Sequence, residues 1–398
     1  MNRLLIWCFF TLGLFLFVLP STPDATGMQT LQQTVPPLPQ CMPWTNGAPR
    51  LLLSPAFAQD RTIFAWGAPA ASQNSAQFLK STDGGLSWHP IPSDIFGRLQ
   101  NWAISPNYVS DQALFATNPF STTAIMRSTD GGQNWSTIPF SETHYIRNLA
   151  VVDSNTLFVA TAGGPYPVRP LHALYYSENA GQGWERLHDT PGIVALSPNY
   201  AQDRTVLIEG LYKSTDGGHT WQASQQGLPE GRTESIVFSP NYVEDRTIFT
   251  VHWVTLYKST DAGTSWTQLD PFPADHTPWG QGNVQSLLVS PRYTEDHTLW
   301  AIGHPQTQAR ISTDGGHTWQ PLTNGVIPYA TGLYCRGSDA CYTELFGWTF
   351  NSQSQAGFVY KSFDYGATWH CLEEEYTPPS STQQAYLPMI MRAGGAGN

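Results

Sequence analysis

The chain of 398 residues has a formal net charge of -11 at pH 7, and it is 13% aromatic but only 12% charged. Nucleic acids and anionic lipid surfaces need a basic footprint, so this composition argues against both and favours a neutral or cationic ligand. The 34 glycines and 31 prolines are spread along the chain, which is typical of many short strands joined by frequent turns.

The first 25 residues have the composition of an export signal. One basic residue precedes an apolar run, residues 4–19, and Pro20 and small polar residues follow it. The run is shorter than the ~20 residues of a membrane-spanning helix. Because no A-x-A cleavage site follows, a second interpretation of this segment is an uncleaved membrane tether. We expect a secreted or extracytoplasmic monomer, with residues 26–45 as a linker.

A motif of the form S-x-D-x-G-x-x-W recurs seven times between residues 81 and 369. Its mean spacing is about 47 residues, which lies in the range of one β-propeller blade. The third position is occupied by Asp83, Asp130, Asn179, Asp216, Asp261, Asp314 and Asp364. The motif ends at Trp88, Trp135, Trp184, Trp221, Trp266, Trp319 and Trp369.

A second motif, S-P-N-Y-x-x-D and its variants, alternates with the first and starts at residues 54, 105, 197, 239 and 290. Apolar residues flank every copy, which predicts a hairpin turn whose serine and aspartate hydrogen-bond to each other. Each period then contains four strands. The sequence therefore predicts an all-β protein, a single seven-bladed β-propeller of four-stranded antiparallel blades over residues 46–375. Residues 376–398 form a Pro/Ser linker and an apolar tail.

Four cysteines follow the export segment, and an even number in an oxidising compartment favours two disulfides. Cys335 and Cys341 have the spacing of the serine and aspartate of the second motif, so we expect a disulfide in their place. Cys41 precedes the first blade and Cys371 lies in the last strand of the seventh. A bond between them would fasten the ring where no peptide bond does.

The seven S-x-D-x-G-x-x-W motifs resemble the Asp-box, or BNR repeat, of sialidases, sortilin-type receptors, two-propeller xyloglucanases and photosystem II assembly-factor propellers. The resemblance implies that the motif is a structural turn remote from the ligand site. Residue chemistry agrees, because an aspartate here can accept backbone N–H groups of the turn while the tryptophan packs over the hairpin. One carboxylate per motif is too few for calcium. We therefore expect no metal, no cofactor and no catalytic role in the motifs.

The two kinds of turn lie at the same end of each antiparallel blade, so the irregular loops project from the opposite face, where function is expected. Each candidate could instead have no role in binding and be an ordinary core residue or a solvent-exposed loop residue. The candidate ligand-binding residues are Arg98, Arg147, Arg169, Arg232, His252, Trp253, His276, Trp279 and Trp348.

We expect a non-catalytic binding scaffold for a protein, peptide or carbohydrate ligand. The alternative is a sialidase-like glycoside hydrolase, in which Arg98, Arg147 and Arg232 would converge on one carboxylate. Against it, the sialidases normally have six blades and an arginine motif that this chain lacks, and paired catalytic carboxylates are not evident. A purely structural role at the cell surface is a third possibility.

Overall fold

A computed structural model describes residues 38–39, 41–69, 77–91, 101–117, 124–140, 145–161, 172–189, 192–272, 283–304, 308–336, 340–351 and 356–375. All of them belong to the second of two compact units, Pro37–Asn398. The first unit, Met1–Pro36, includes the predicted export segment and lies outside the described residues, as does the predicted C-terminal tail. Within the described ranges, no helix is long and apolar enough to span a membrane.

The structure confirms seven four-stranded antiparallel blades. The strands of blades one to four are β1 (Pro43–Leu53), β2 (Ile63–Pro69), β3 (Gln77–Ser81) and β4 (His89–Pro90); β5 (Asn101–Ile104), β6 (Leu114–Thr117), β7 (Ala124–Ser128) and β8 (Ser136–Pro139); β9 (Ile146–Val151), β10 (Leu157–Thr161), β11 (Ala173–Ser177) and β12 (Glu185–His188); β13 (Val194–Leu196), β14 (Val206–Ile208), β15 (Tyr212–Ser214) and β16 (Gln222–Ala223). Those of blades five to seven are β17 (Thr233–Phe238), β18 (Ile248–His252), β19 (Thr255–Ser259) and β20 (Thr267–Leu269); β21 (Asn283–Val289), β22 (Leu299–His304), β23 (Ala309–Ser312) and β24 (Gln320–Pro321); β25 (Ile327–Arg336), β26 (Ala340–Asn351), β27 (Ala356–Ser362) and β28 (His370–Cys371).

The first strands of successive blades contact one another, which makes them the inner strands of the ring. Apolar clusters fill the spaces between blades rather than a single centre. Between blades two and three, for example, Phe115 and Ile138 pack with Leu149 and Val159, all of them buried. Burying one such side chain contributes roughly 1.5–3 kcal/mol, so the contacts between neighbouring blades stabilise the ring.

The second motif contains a helical turn that the sequence did not predict. In five blades a four-residue helix occupies the connection: α1 (Phe57–Asp60), α2 (Tyr108–Asp111), α3 (Tyr200–Asp203), α4 (Tyr242–Asp245) and α5 (Tyr293–Asp296). In α1 the Ser54 hydroxyl donates to Asp60 at 2.6 Å, and the other Asp60 oxygen accepts the Thr62 amide at 2.8 Å. Arg61, with φ of 51°, then ends the helix and lets the chain reverse. The expected Ser–Asp bond is therefore present.

Lysine occupies one position of the repeat, directly before the serine of the Asp-box. The Lys213 ammonium donates to the Ala262 carbonyl at 2.7 Å, and that of Lys258 donates to the Gly315 carbonyl at 3.1 Å. Each acceptor belongs to the Asp-box of the next blade. Lys80 likewise reaches Tyr108 of the next blade, at 3.1 Å. These lysines therefore connect neighbouring blades.

Blades one and seven are joined into one continuous sheet. Strand β1 pairs with β2 and, through Trp44 opposite Gly357, also with β27, while β28 pairs with another part of β27. The outer edge of blade seven is thus shared between the N-terminal strand and the last strand. Next to this junction Cys41 and Cys371 form a disulfide with a Cα–Cα distance of 5.1 Å.

An ion pair crosses the same junction. The Arg61 guanidinium donates to both oxygens of Glu344, at 2.7 and 3.1 Å, and the Glu344 side chain is fully buried. Burial raises the pKa of Glu344, and Arg61 opposes the rise. Cys341 is also disulfide-bonded, and Cys335 is the residue opposite it in the register of β25 and β26. The Cys335 side chain lies outside the described residues.

Candidate ligand-binding site

The Asp-boxes and the connections between the first two strands lie at one end of the blades, which we call the box face. In blade one the Gly84 amide of the box donates to the Arg61 carbonyl at 3.0 Å. Equivalent bonds of 2.8 to 3.0 Å join the two turns in the next five blades, with acceptors Gln112, Asn155, Arg204, Arg246 and His297. The opposite end, the loop face, carries the connections between the second and third strands and those between blades.

Each Asp-box closes a hydrogen-bond network around its own turn. In all seven boxes the serine hydroxyl donates to the aspartate or asparagine oxygen at 2.7 to 2.9 Å. The same oxygen accepts a backbone N–H four residues further on, at 2.8 to 3.0 Å. Asn179 makes both bonds, so a carboxylate is not essential to the turn. The network gives the box oxygens internal partners, as a structural turn requires.

The hydrogen bonds also lower the pKa of five box carboxylates. Burial alone would raise the pKa of Asp83, but donors from Ser87 and Ser81 outweigh it and lower the pKa to about 2. The pKa values of Asp130, Asp216, Asp261 and Asp314 are lowered by the same kind of donors. A general acid at neutral pH needs the opposite shift, so these four and Asp83 are unsuited to that role.

The box tryptophans contact more than their own hairpins. The Trp135 indole N–H donates to Gly132 of its own box at 2.9 Å. In contrast, that of Trp266 donates at 2.8 Å to the Ser224 carbonyl of the preceding blade, and the Trp184 ring lies 5.2 Å from that of Phe140. We expected each box tryptophan to pack over its own hairpin. Some of these tryptophans also contact the preceding blade, because the box lies against the end of that blade's outer strand.

Four charged side chains meet on the loop face, where blades three, four and five adjoin; we call them the Glu209 cluster. Arg147 lies near the start of β9, Glu209 follows β14, and Arg232 precedes β17. The Arg232 Nε is 3.7 Å from a Glu209 oxygen and 3.4 Å from a Glu234 oxygen. Blades four and five therefore bring these side chains into contact, and Arg147 of blade three is near enough to act electrostatically on Glu209.

Glu209 is the least exposed member of the cluster, with 14% of its side chain exposed against 49% for Arg232. Burial raises the pKa of Glu209, Arg232 and Arg147 oppose the rise, and Glu234 adds to it. A side chain at Gly192 would displace this carboxylate, because a Cβ there would lie 1.7 Å from Glu209 Oε2. Sequence analysis identified the two arginines as candidate ligand-binding residues, but not Glu209.

An exposed tryptophan adjoins the cluster. Trp253 lies in the tight connection between β18 and β19, has φ of 57°, and is 57% exposed. A left-handed backbone costs a residue other than glycine about 1–2 kcal/mol. Its amide donates to the Arg232 carbonyl at 2.7 Å and its indole N–H to the Glu230 carbonyl at 3.1 Å. A Cβ at Gly231 would lie 1.6 Å from the indole nitrogen, so this glycine makes room for the ring.

The other candidates are placed differently. His252 is buried, with Nε2 3.0 Å from the Pro229 carbonyl and Nδ1 3.4 Å from the Thr233 hydroxyl, and burial lowers its pKa. It supports the loop that carries Arg232. Trp348 is half-buried and packs against an apolar cluster between blades six and seven. Four candidates lie outside the described residues: Arg98, Arg169, His276 and Trp279.

The fold and the seven boxes define the class of protein: the chain is a BNR-repeat, or Asp-box, β-propeller. A BNR/Asp-box repeat model matches residues 126–137, and a model described as sortilin, neurotensin receptor 3, matches residues 209–338. No curated protein sequence matches the chain.

Solved structures share the fold at low sequence identity. An ancestral GH74 enzyme superposes with a TM-score of 0.56 and 17% identity over 86% of this chain, and this chain spans 48% of that enzyme. The structure described as YCF48 bound to D1 peptide has a TM-score of 0.49 and 16% identity, over 78% of this chain and 96% of its own. For YCF48 from Cyanidioschyzon merolae the values are 0.45 and 18%, over 82% and 95%.

Proposed function

We propose that this protein is an exported, non-catalytic binding propeller that recognises a protein or peptide ligand through its loop face. One observation carries the proposal: three consecutive blades bring Arg147, Glu209 and Arg232 together beside the exposed ring of Trp253. Exposed tryptophan and arginine are the side chains that most often dominate binding energy at protein interfaces. On the box face, by contrast, the polar groups of the repeated Asp-box turns are hydrogen-bonded within the turns.

The backbone of Trp253 supports the proposal. A residue held in a sparsely populated conformation persists only where its surroundings impose it, and such residues cluster at functional sites. Here two carbonyl acceptors hold the residue while most of its side chain faces solvent. Glycine at this position would avoid the strain, so we expect the exposed tryptophan ring to contribute to ligand contact.

The proposal is tested by screening peptide and glycan arrays with the wild-type protein and two variants. Trp253→Ala removes the exposed ring on the loop face. Val243→Ala is the matched control, because Val243 is an exposed apolar residue on the box face. We expect Trp253→Ala to weaken each hit at least tenfold and Val243→Ala to leave it unchanged. Equal binding by all three proteins would place the ligand elsewhere, and glycan hits alone would replace the peptide ligand by a carbohydrate.

A sialidase-like hydrolase is the second candidate, because Arg147 and Arg232 both act on the carboxylate of Glu209. That carboxylate belongs to the protein, so a substrate carboxylate would have to compete with it. Turnover of a fluorogenic sialoside by the wild-type protein, and its loss in Arg147→Ala, would establish this activity. Absence of turnover by the wild-type protein would eliminate it.

A further inference from the structure

The ring-closing disulfide has a third polar group beside it, the carboxylate of Glu373. The sulfurs of Cys41 and Cys371 and a Glu373 oxygen all lie within 4.8 Å of one another. Both cysteines are buried, with 8% and 2% of their surfaces exposed. The carbonyl oxygen of Pro39 lies 3.6 Å from the Cys41 sulfur, so a second oxygen adjoins the group.

The Glu373 carboxylate is unusual because it is buried and neither oxygen makes a hydrogen bond of ordinary geometry within the described residues. The backbone amides of Glu373 and Met42 are donors close enough to oppose the rise in the pKa of Glu373 that burial causes. A buried, unsatisfied polar group in a native structure calls for an explanation, and an ion that binds there is one of the few available.

We propose that Cys41, Cys371 and Glu373 form a binding site for a thiophilic divalent cation, such as Zn²⁺ or Cd²⁺, when the disulfide is reduced. Two thiolates and one carboxylate are a donor set that zinc accepts in proteins. Two sulfurs bound at ~2.3 Å to one tetrahedral zinc ion lie about 3.8 Å apart. On reduction the two sulfurs must therefore move apart, while a Glu373 oxygen already lies within 4.8 Å of both.

The redox step balances with a phosphine as the reductant and water as the co-reactant. The phosphine supplies two electrons, and one water molecule supplies the two thiol protons and the oxygen of the phosphine oxide. Cation binding then releases both thiol protons and leaves two thiolate–metal bonds. The cation would hold the same two chain segments that the disulfide holds, so the ring would remain fastened in either state. This site is independent of the ligand proposed for the loop face.

The test uses the full chain with Cys8, Cys335 and Cys341 replaced by serine. After reduction, the only thiols are then those of Cys41 and Cys371. After reduction and removal of the phosphine, Cd²⁺ alone is titrated while the ultraviolet thiolate-to-cadmium band is recorded. We expect one Cd²⁺ per chain, no band before reduction, and a higher thermal midpoint of the reduced protein with Cd²⁺. If the serine background fails to fold, the same titration compares the native chain with Cys41→Ser/Cys371→Ser, which should bind one Cd²⁺ fewer.

Glu373→Gln and Glu374→Gln form a matched pair, because Glu374 is the next residue and is exposed. We expect Glu373→Gln to lower the Cd²⁺ affinity at least tenfold and Glu374→Gln to leave it unchanged. Absence of the band in the reduced wild-type site would overturn the proposal. Equal affinities of the two variants would also overturn it, since the carboxylate would then not be a ligand.

Discussion

Removing the Cys41–Cys371 disulfide should destabilise the protein more than removal of an ordinary disulfide does. The bond closes a loop with a sequence separation of 330 residues. In the chain-entropy relation, closing a loop of this length lowers the conformational entropy of the unfolded state by about 19 cal/mol/K. This corresponds to about 6 kcal/mol of added free energy of unfolding at 25 °C. Because β1 still pairs with β27 and Arg61 still pairs with Glu344, the native ring should survive, and the loss should come from the unfolded ensemble.

The experiment compares the free energy of unfolding in denaturant for the wild-type protein and for Cys41→Ser/Cys371→Ser. We expect a loss of about 3–6 kcal/mol, since measured disulfide contributions often fall below the entropic value. Cys335→Ser/Cys341→Ser is the control, because the same relation gives only about 2 kcal/mol for a six-residue separation. Circular dichroism should show native β-structure in both variants. Equal losses in the two variants would refute the entropic reasoning.

Three further outcomes follow from contacts between and within blades. Arg61→Met leaves the buried Glu344 carboxylate without its partner, so denaturant unfolding should show a loss of about 3–5 kcal/mol; Arg61→Met/Glu344→Gln should recover much of it, and no recovery would contradict the ion-pair account. The folded pKa of Asp83, about 2, lies below its ordinary value of 3.8, so its contribution to stability is present above pH 4 and lost as pH falls through 2. The stability difference between wild type and Asp83→Asn, measured against pH, should shrink over that window, and a constant difference would oppose this assignment. Lys258→Met removes the bond to Gly315 and should cost about 1 kcal/mol; an unchanged thermal midpoint would show that the bond contributes nothing.

The number of blades could be predicted from the sequence because each blade repeats the same local chemistry. Each Asp-box turn is determined within eight residues by its serine, aspartate, glycine and tryptophan. Because the boxes are regularly spaced, the number of boxes gives the number of blades. The Ser–Asp bond of the second motif was also predictable from spacing, as Ser54 and Asp60 illustrate. The short helix between them was not, because four residues leave no helical periodicity to detect.

The contacts between distant segments could not be read from the repeats. Residues 43–45 carry no repeat motif, so their pairing with β27 was missed, although the cysteines indicated that the two ends meet. The Glu209 cluster has a similar origin. Its members come from three blades at irregular loop positions, and only the packing of neighbouring blades decides which loop side chains meet.

The chain contains four lysines, and every one precedes a box serine: Lys80, Lys213, Lys258 and Lys361. All are buried or half-buried, and burial lowers the pKa of each. Amine-directed reagents would therefore attack the seams of the ring or the chain terminus rather than an open surface. Immobilising or labelling this protein through lysine would therefore disturb the contacts between blades. Attachment through a terminal tag would leave those contacts intact.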